Sequence, residues 1–224
     1  MLAQAATHVF WITSRAAGVL ALLLASVSVS VGLTMGGRML PRAQRTLRPL
    51  HEALSLAALS ALALHALSLL GDAYLHPSLA DVTIPFASSF REPWLGIGIV
   101  GGWTSALLGL SYYARGRIGV ARWRRLHRFT ALAWLASLIH ALGMGTDAGT
   151  AWFLIAVGIA IVPALTLLVV RIAEKQAVRP AALARPAASH ATASHATASR
   201  AAASRAAAPA PDRVPAPPRL WSGA

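Results

Sequence analysis

The sequence predicts an all-α membrane protein: a polytopic bundle of about five transmembrane helices followed by a disordered C-terminal tail. Three observations indicate this class. Hydrophobic residues make up 56% of the 224 residues and charged residues only 12%. The mean hydropathy is +0.59, a value typical of proteins that cross a membrane several times. Apolar stretches of about 20 residues, the length that crosses a hydrocarbon core, follow one another along the chain.

Five segments have the length and composition of membrane spans. They cover residues 7–35, 50–70, 93–113, 125–145 and 150–172. The first contains the apolar run VLALLLASVSVSVGL. Pro49 and Pro93 fit the first turns of the second and third spans, where a missing N–H breaks no helical hydrogen bond. Pro163 falls inside the fifth span and predicts a kink there.

The composition changes at Glu174. From there the chain consists mainly of Ala, Pro, Ser and Arg, which provide too little apolar surface to form a core. The sequence therefore predicts two domains, a membrane bundle over 1–173 and a disordered cytoplasmic tail over 174–224.

The distribution of arginine predicts the orientation of the bundle. Basic residues crowd the first and third connections and follow the last span, whereas the second and fourth connections are poor in them. Because basic loops stay on the cytoplasmic side, we expect a multi-pass plasma membrane protein with its N-terminus outside and its C-terminus inside. The net charge of +13 is then explained by basic loops on the cytoplasmic side of a lipid bilayer, and we expect no nucleic-acid binding. The first apolar run is too long for a cleaved signal peptide, and its basic flank follows it.

The absence of cysteine narrows the chemistry. With no cysteine in the chain, disulfides, iron–sulfur clusters and covalently attached haem are excluded, whereas non-covalent b-type haem is not.

Four histidines lie in the apolar spans, two on the second span and two on the fourth. His51 and His65 are 14 residues apart, and His127 and His140 are 13 apart. At about 1.5 Å of rise per residue, each spacing corresponds to about 20 Å along a helix, which separates the two leaflets. Ionisable residues inside a membrane are costly and mark functional sites.

The predicted topology decides which histidines meet. The second and fourth spans run in the same direction, so His51 pairs with His127 near the inner face and His65 with His140 near the outer face. Two neutral imidazoles on opposite faces of a metal are the ligands of a haem without an open position. The alternative is that the histidines form hydrogen bonds between helices. A 13-residue spacing turns the second ring by about 140°, so we expect a bend, a π-bulge or a helix start beyond His127.

The segments LHEALSLAALSALALHALSLLGD and RRLHRFTALAWLASLIHALGMGTD resemble the two haem-binding helices of the ferric reductase-like transmembrane domain family. The resemblance covers about residues 8–172. It implies that His51, His65, His127 and His140 are axial ligands of two b-type haems. It also implies electron transfer to an extracytoplasmic acceptor such as ferric iron, oxygen or a separate reductase.

The chain departs from larger members of that family in two ways. No FAD- or NADPH-binding domain follows the bundle, so we expect electrons from a separate flavin reductase or from a quinol. Five spans are recognisable where many relatives have six. The alternative function is a non-catalytic haem or metal carrier, or a sensor.

Haem propionates need cationic partners at the membrane edges. Arg124, Arg125 and Arg128 flank His127 and are candidates for the inner haem, although positive-inside anchoring also accounts for them. Arg15 lies within the first span on the predicted outer side, and we expect it to serve the outer haem; snorkelling to the headgroups is the alternative.

Three further features have structural explanations. Trp134, between His127 and His140, is conceivable as an aromatic bridge, but core packing is favoured. The run G-x-G-x-x-G beginning at Gly96 lies in a span, where it indicates close helix packing and not a dinucleotide site. Glu52, beside His51, either tunes the inner site or is solvated at the interface.

Overall fold

The structure is a computed structural model that describes the backbone of residues 2–36, 41–72 and 75–206. Within these ranges all regular elements are helical, as the sequence predicts. The helices are α1 (Leu2–Gly36), α2 (Gln44–Leu69), α3 (Leu79–Thr83), α4 (Glu92–Leu110), α5 (Arg115–Ile118), α6 (Val120–His127), α7 (Thr130–Met144) and α8 (Ala151–Ala206). A 3-10 turn, Pro41–Ala43, precedes α2.

Four of these helices are long and apolar enough to cross a membrane, counted over the described residues. They are His8–Gly36, Gln44–Leu69, Glu92–Leu110 and Ala151–Glu174. Large apolar side chains on their surfaces are exposed; Ile159, for example, is 73% exposed. Exposed apolar surface of this extent suits a lipid environment.

The fourth predicted span is divided in the structure. Helix α6 ends at His127 and the 15-residue α7 begins at Thr130, with Arg128 and Phe129 in a turn between them. The sequence VARWRRLH of α6 carries three arginines, which favour an interfacial position over a buried one. The structure therefore shows four long apolar helices and a shorter α7, and the expected count of five spans is not confirmed.

Two helix boundaries differ from the expectations. Helix α2 begins at Gln44, so Pro49 lies inside it and not in its first turn. Helix α8 continues to Ala206, so the disorder expected from Glu174 onward is not confirmed. Alanine has the highest helix propensity of all residues, and this property outweighs the lack of apolar surface in that segment. Residues 207–224 of the predicted tail lie outside the described residues.

The chain divides into two compact units, Met1–Ile172 and Ala173–Ala224. In the first unit, α1 packs along α2, and α4 packs along α7. The core of this unit is formed by α1, α7 and the first part of α8, and its buried residues are Leu22, Trp134, Phe153, Val157, Ile161 and Ala164.

Trp134 belongs to this core, as its sequence context favours. Its side chain is 2% exposed, and its indole Nε1 donates a hydrogen bond of 2.9 Å to Ser26 Oγ on α1. Burial of an indole with its one donor satisfied is the usual arrangement for tryptophan in a core.

Candidate functional site

The four histidines of the sequence prediction meet in the two predicted pairs. The ring centres of His51 and His127 are 6.2 Å apart, with an interplanar angle of 88°. Those of His65 and His140 are 6.4 Å apart, with an angle of 72°. One pair therefore joins α2 to the end of α6, and the other joins α2 to α7.

The separation of the rings fits a metal ion held between them. With metal–nitrogen bonds of about 2 Å and about 1.1 Å from each nitrogen to its ring centre, two imidazoles on opposite sides of one metal have centres about 6.2 Å apart. An edge-to-face contact of two rings covers the same range of distances. The distinction therefore depends on the hydrogen bonds that the rings make.

Three of the rings bind backbone carbonyls through Nδ1. His51 Nδ1 lies 3.0 Å from the Ser28 carbonyl oxygen, His65 Nδ1 lies 2.8 Å from that of Ser14, and His140 Nδ1 lies 2.9 Å from that of Trp94. Because a carbonyl only accepts, Nδ1 carries the hydrogen and Nε2 of the neutral ring keeps a free lone pair. This is the arrangement that metal-binding histidines adopt.

Two serines add to the hydrogen bonds on α1. Ser14 Oγ lies 3.1 Å from His65 Nδ1, and Ser28 Oγ lies 3.0 Å from His51 Nδ1. Both serines are buried, at 4% and 5% exposure. Each histidine ring on α2 is thus held by the backbone carbonyl and the side-chain hydroxyl of one serine on α1.

His127 is held differently from the other three histidines. Its ring stacks on Trp123, with ring centres 5.0 Å apart and an angle of 28°. Among the described residues, His127 Nδ1 and Trp123 Nε1 are buried nitrogens without a hydrogen-bond partner. Trp123 therefore belongs to the residues that surround the His51–His127 pair.

The break between α6 and α7 accounts for the 13-residue spacing. On the uninterrupted α2, a 14-residue spacing returns to within about 40° of the starting direction, so His51 and His65 share a face. His127 is the last residue of α6, and the following turn reorients the chain so that His140 on α7 also reaches α2. The interruption expected beyond His127 is therefore present.

A polar and aromatic group surrounds the inner pair. Tyr113 donates a hydrogen bond of 3.0 Å to Glu52 Oε1, and this bond raises the pKa of the Tyr113 hydroxyl. The Arg115 guanidinium lies 3.9 Å from the ring centre of Tyr112, whose ring contacts that of Trp123 at 5.8 Å. Glu52 therefore has a partner in the turn that follows α4.

The arginines proposed for the propionates lie in two settings. Arg124 and Arg125 on α6 and Arg128 in the turn after it are exposed, close in sequence to His127. Arg15 instead forms a two-pronged ion pair with Asp147 and lies 4.9 Å from the Trp11 ring centre. Arg15 thus has a protein partner, next to Ser14 and the outer histidine pair.

The glycine run of α4 serves packing between helices. A Cβ at Gly98 would collide with the ring of His140, and one at Gly101 would lie 3.2 Å from the Ala133 carbonyl of α7. This close approach agrees with the packing role expected for these glycines.

Sequence reasoning missed the backbone partners of the rings and the partner of Arg15. Every residue has a carbonyl, so Ser14, Ser28 and Trp94 carry no distinguishing side-chain signal for that role. One available signal was periodicity, because Ser14 and Ser28 are 14 residues apart, as are His51 and His65. Asp147 lies in a loop, where a carboxylate is common and carries no distinguishing signal.

Comparison of the chain with known family models, with curated proteins and with solved structures found no match. In the described part of the chain no group of three or more His, Asp or Glu side chains is placed to hold a metal ion. Each histidine pair contains two rings, the number of axial positions on a porphyrin-bound iron.

Proposed function

We propose that this protein carries electrons across a membrane by means of two b-type haems. The inner haem would be held by His51 and His127, and the outer haem by His65 and His140. The observation that carries the proposal is the spacing of both ring pairs, 6.2 and 6.4 Å, together with Nδ1–carbonyl bonds that leave Nε2 free. The resemblance to the ferric reductase-like family supports the same assignment.

Bound haem supplies one-electron oxidation and reduction of its iron. The residues of the chain hold the two rings of each pair at a fixed distance and orient them through Nδ1. Because both axial positions would be filled, the arrangement favours transfer to an external acceptor over binding of oxygen at the iron. The two sites lie about 20 Å apart along α2, on opposite leaflets of a membrane.

Five membrane spans belong to this proposal. His140 binds the Trp94 carbonyl near the start of α4, and the Ala133 carbonyl lies against Gly101, further along α4. Helix α7 therefore runs in the opposite direction to α4, and His127 and His140 meet α2 at residues 14 positions apart, about 20 Å along that helix. This extent supports a crossing by α6 and α7 together, with the N-terminus outside and the C-terminus in the cytoplasm.

The proposed partners follow from that orientation. A cytosolic flavin reductase or a membrane quinol would donate electrons near His51 and His127. An extracytoplasmic acceptor would receive them near His65 and His140. We propose Arg124, Arg125 and Arg128 as partners of the inner propionates, and Arg15, through the donors that Asp147 leaves open, as a partner of the outer ones.

The test is the visible spectrum of the purified full-length chain, produced with excess haem supply. We expect two low-spin haems per chain that dithionite reduces. His51→Ala and His127→Ala should each remove the same spectral component, and His65→Ala and His140→Ala the other one. His8→Ala, at an exposed position of α1, is the matched control and should leave both components.

Two results would contradict the proposal. One is a folded wild-type protein without colour. The other is high-spin or freely exchangeable haem, which would favour the carrier or sensor alternative. In the proposed electron carrier histidines fill both axial positions of each haem, and such a haem is low-spin.

A further inference from the structure

Three of the four imidazoles lie against a glycine. A Cβ built on Gly18 would lie 2.9 Å from His65 Nδ1, and one on Gly32 would lie 3.2 Å from His51 Cε1. A Cβ on Gly98 would overlap the His140 ring. No side chain larger than hydrogen fits at Gly18 or Gly98 unless the imidazole moves, and at Gly32 the fit is tight.

Each glycine stands four residues after the residue whose carbonyl binds the ring. The pairs are Ser14 with Gly18, Ser28 with Gly32, and Trp94 with Gly98. In an α-helix the Cβ of a residue is tilted toward the N-terminus and covers the turn before it. A side chain at the fourth position therefore screens the carbonyl at the first, and glycine leaves that carbonyl open to a second donor.

The fourth histidine has no glycine of this kind against its ring in the described part of the chain. His127 stacks on Trp123 instead, with ring centres 5.0 Å apart. His127 Nδ1 has no hydrogen bond of good geometry within the described structure.

We propose that Gly18, Gly32 and Gly98 are positioning residues that hold open the carbonyls to which His65, His51 and His140 donate. This inference rests on the proposed function. It adds that the carbonyls of α1 and α4 set the basicity of the histidine ligands that donate to them. Donation from Nδ1 makes an imidazole a more basic ligand and favours oxidised iron. The outer site has two such ligands and the inner site has one.

The experiment is a redox titration, followed by visible absorption, of the haem-loaded full-length chain. Gly18→Ala and Gly98→Ala should shift the outer haem to a more positive reduction potential, and Gly32→Ala should shift the inner haem. In each variant the other haem should keep its potential and spectrum, which reports that the protein has folded. The effect at Gly32 should be the smallest, because its Cβ contact of 3.2 Å is the least severe.

Gly102→Ala and Gly158→Ala are the controls. The nearest atoms to a Cβ at Gly102 belong to Leu62 at 3.9 Å, and no atom lies within 4 Å at Gly158. Both variants should keep both potentials.

Three outcomes would overturn the inference about the glycines but would not affect the proposal that the wild-type protein binds two haems. They are unchanged potentials in all three glycine variants, equal shifts in the controls, and loss of both haems from all three variants with the controls intact. A wild-type protein that binds no haem would overturn the proposed function, and this inference with it.

Discussion

At the scale of single residues, hydrogen bonding accounts for the presence of histidine in apolar helices. A buried polar group without a partner costs about 1–3 kcal/mol, and three of the rings avoid part of that cost by donating from Nδ1 to a carbonyl. Their Nε2 atoms carry a lone pair, so they need a hydrogen-bond donor or a metal ion as partner, and a backbone carbonyl cannot serve. A metal ion is one partner that satisfies two such atoms at once.

The angle between the two rings of each pair predicts a spectroscopic signature. If each pair holds a haem iron as proposed, rings at 88° and 72° would interact almost equally with two iron d orbitals, so these orbitals would stay close in energy. We expect low-spin ferric electron paramagnetic resonance signals with one large, isolated g value for both sites, and the larger g value for the inner pair. Three well-resolved g values for both sites would show nearly parallel rings and contradict the geometry.

The sequence predicted the histidines but not the groups that orient them. His51, His65, His127 and His140 were recognisable because ionisable side chains are rare in apolar spans, and their pairing followed from the direction of the helices. The carbonyls of α1 and α4 were not recognisable, because backbone groups are identical at every position. Gly18 and Gly32, 14 residues apart like His51 and His65, were the available signal.

At the scale of helices, the Arg15–Asp147 ion pair joins α1 to the connection between α7 and α8. Asp147 is almost completely buried, with 3% of its side chain exposed, whereas 36% of the Arg15 side chain is exposed. Removal of one partner from such a pair leaves the other charge poorly solvated. The pair therefore fixes the start of α8 beside the outer histidines.

Asp147→Asn should lower the free energy of unfolding by about 1–3 kcal/mol, a range reduced from that of fully buried pairs because Arg15 is partly exposed. The measurement is the thermal midpoint of helix loss in detergent, and Glu92→Gln, at an exposed carboxylate on α4, is the control.

Arg15→Ala should in addition shift the visible spectrum of the outer haem. An unchanged spectrum would leave Arg15 with the structural role alone.

At the scale of the whole molecule, the helical class and the long apolar helices followed from composition and segment length. The division of the fourth segment was foreseen only in part, from the 13-residue spacing of His127 and His140. The break between α6 and α7 lies at Arg128 and Phe129. Neither residue type breaks helices, so the local sequence does not predict where the break falls. The extension of α8 to Ala206 agrees with the high helix propensity of alanine, a local property that needs no core.

The number and direction of the spans can be decided by labelling. Because the chain contains no cysteine, a single introduced thiol reports its own side of the membrane to an impermeant maleimide. Ala80→Cys on α3 and Gly149→Cys before α8 should be labelled on intact cells, whereas Gly116→Cys on α5 should need permeabilised cells. These three positions are exposed, and the haem spectrum of each variant serves as the control for folding.

Gly149 decides between four and five spans. If α6 and α7 cross the membrane together, Gly149 lies outside with Ala80, and His140 lies at the depth of the outer end of α4. If they do not cross, Gly149 lies on the side of Gly116, and α8 runs in the opposite direction. Labelling of Gly149→Cys only after permeabilisation would then place His127 and His140 at one membrane face, and two haems on opposite leaflets would be impossible.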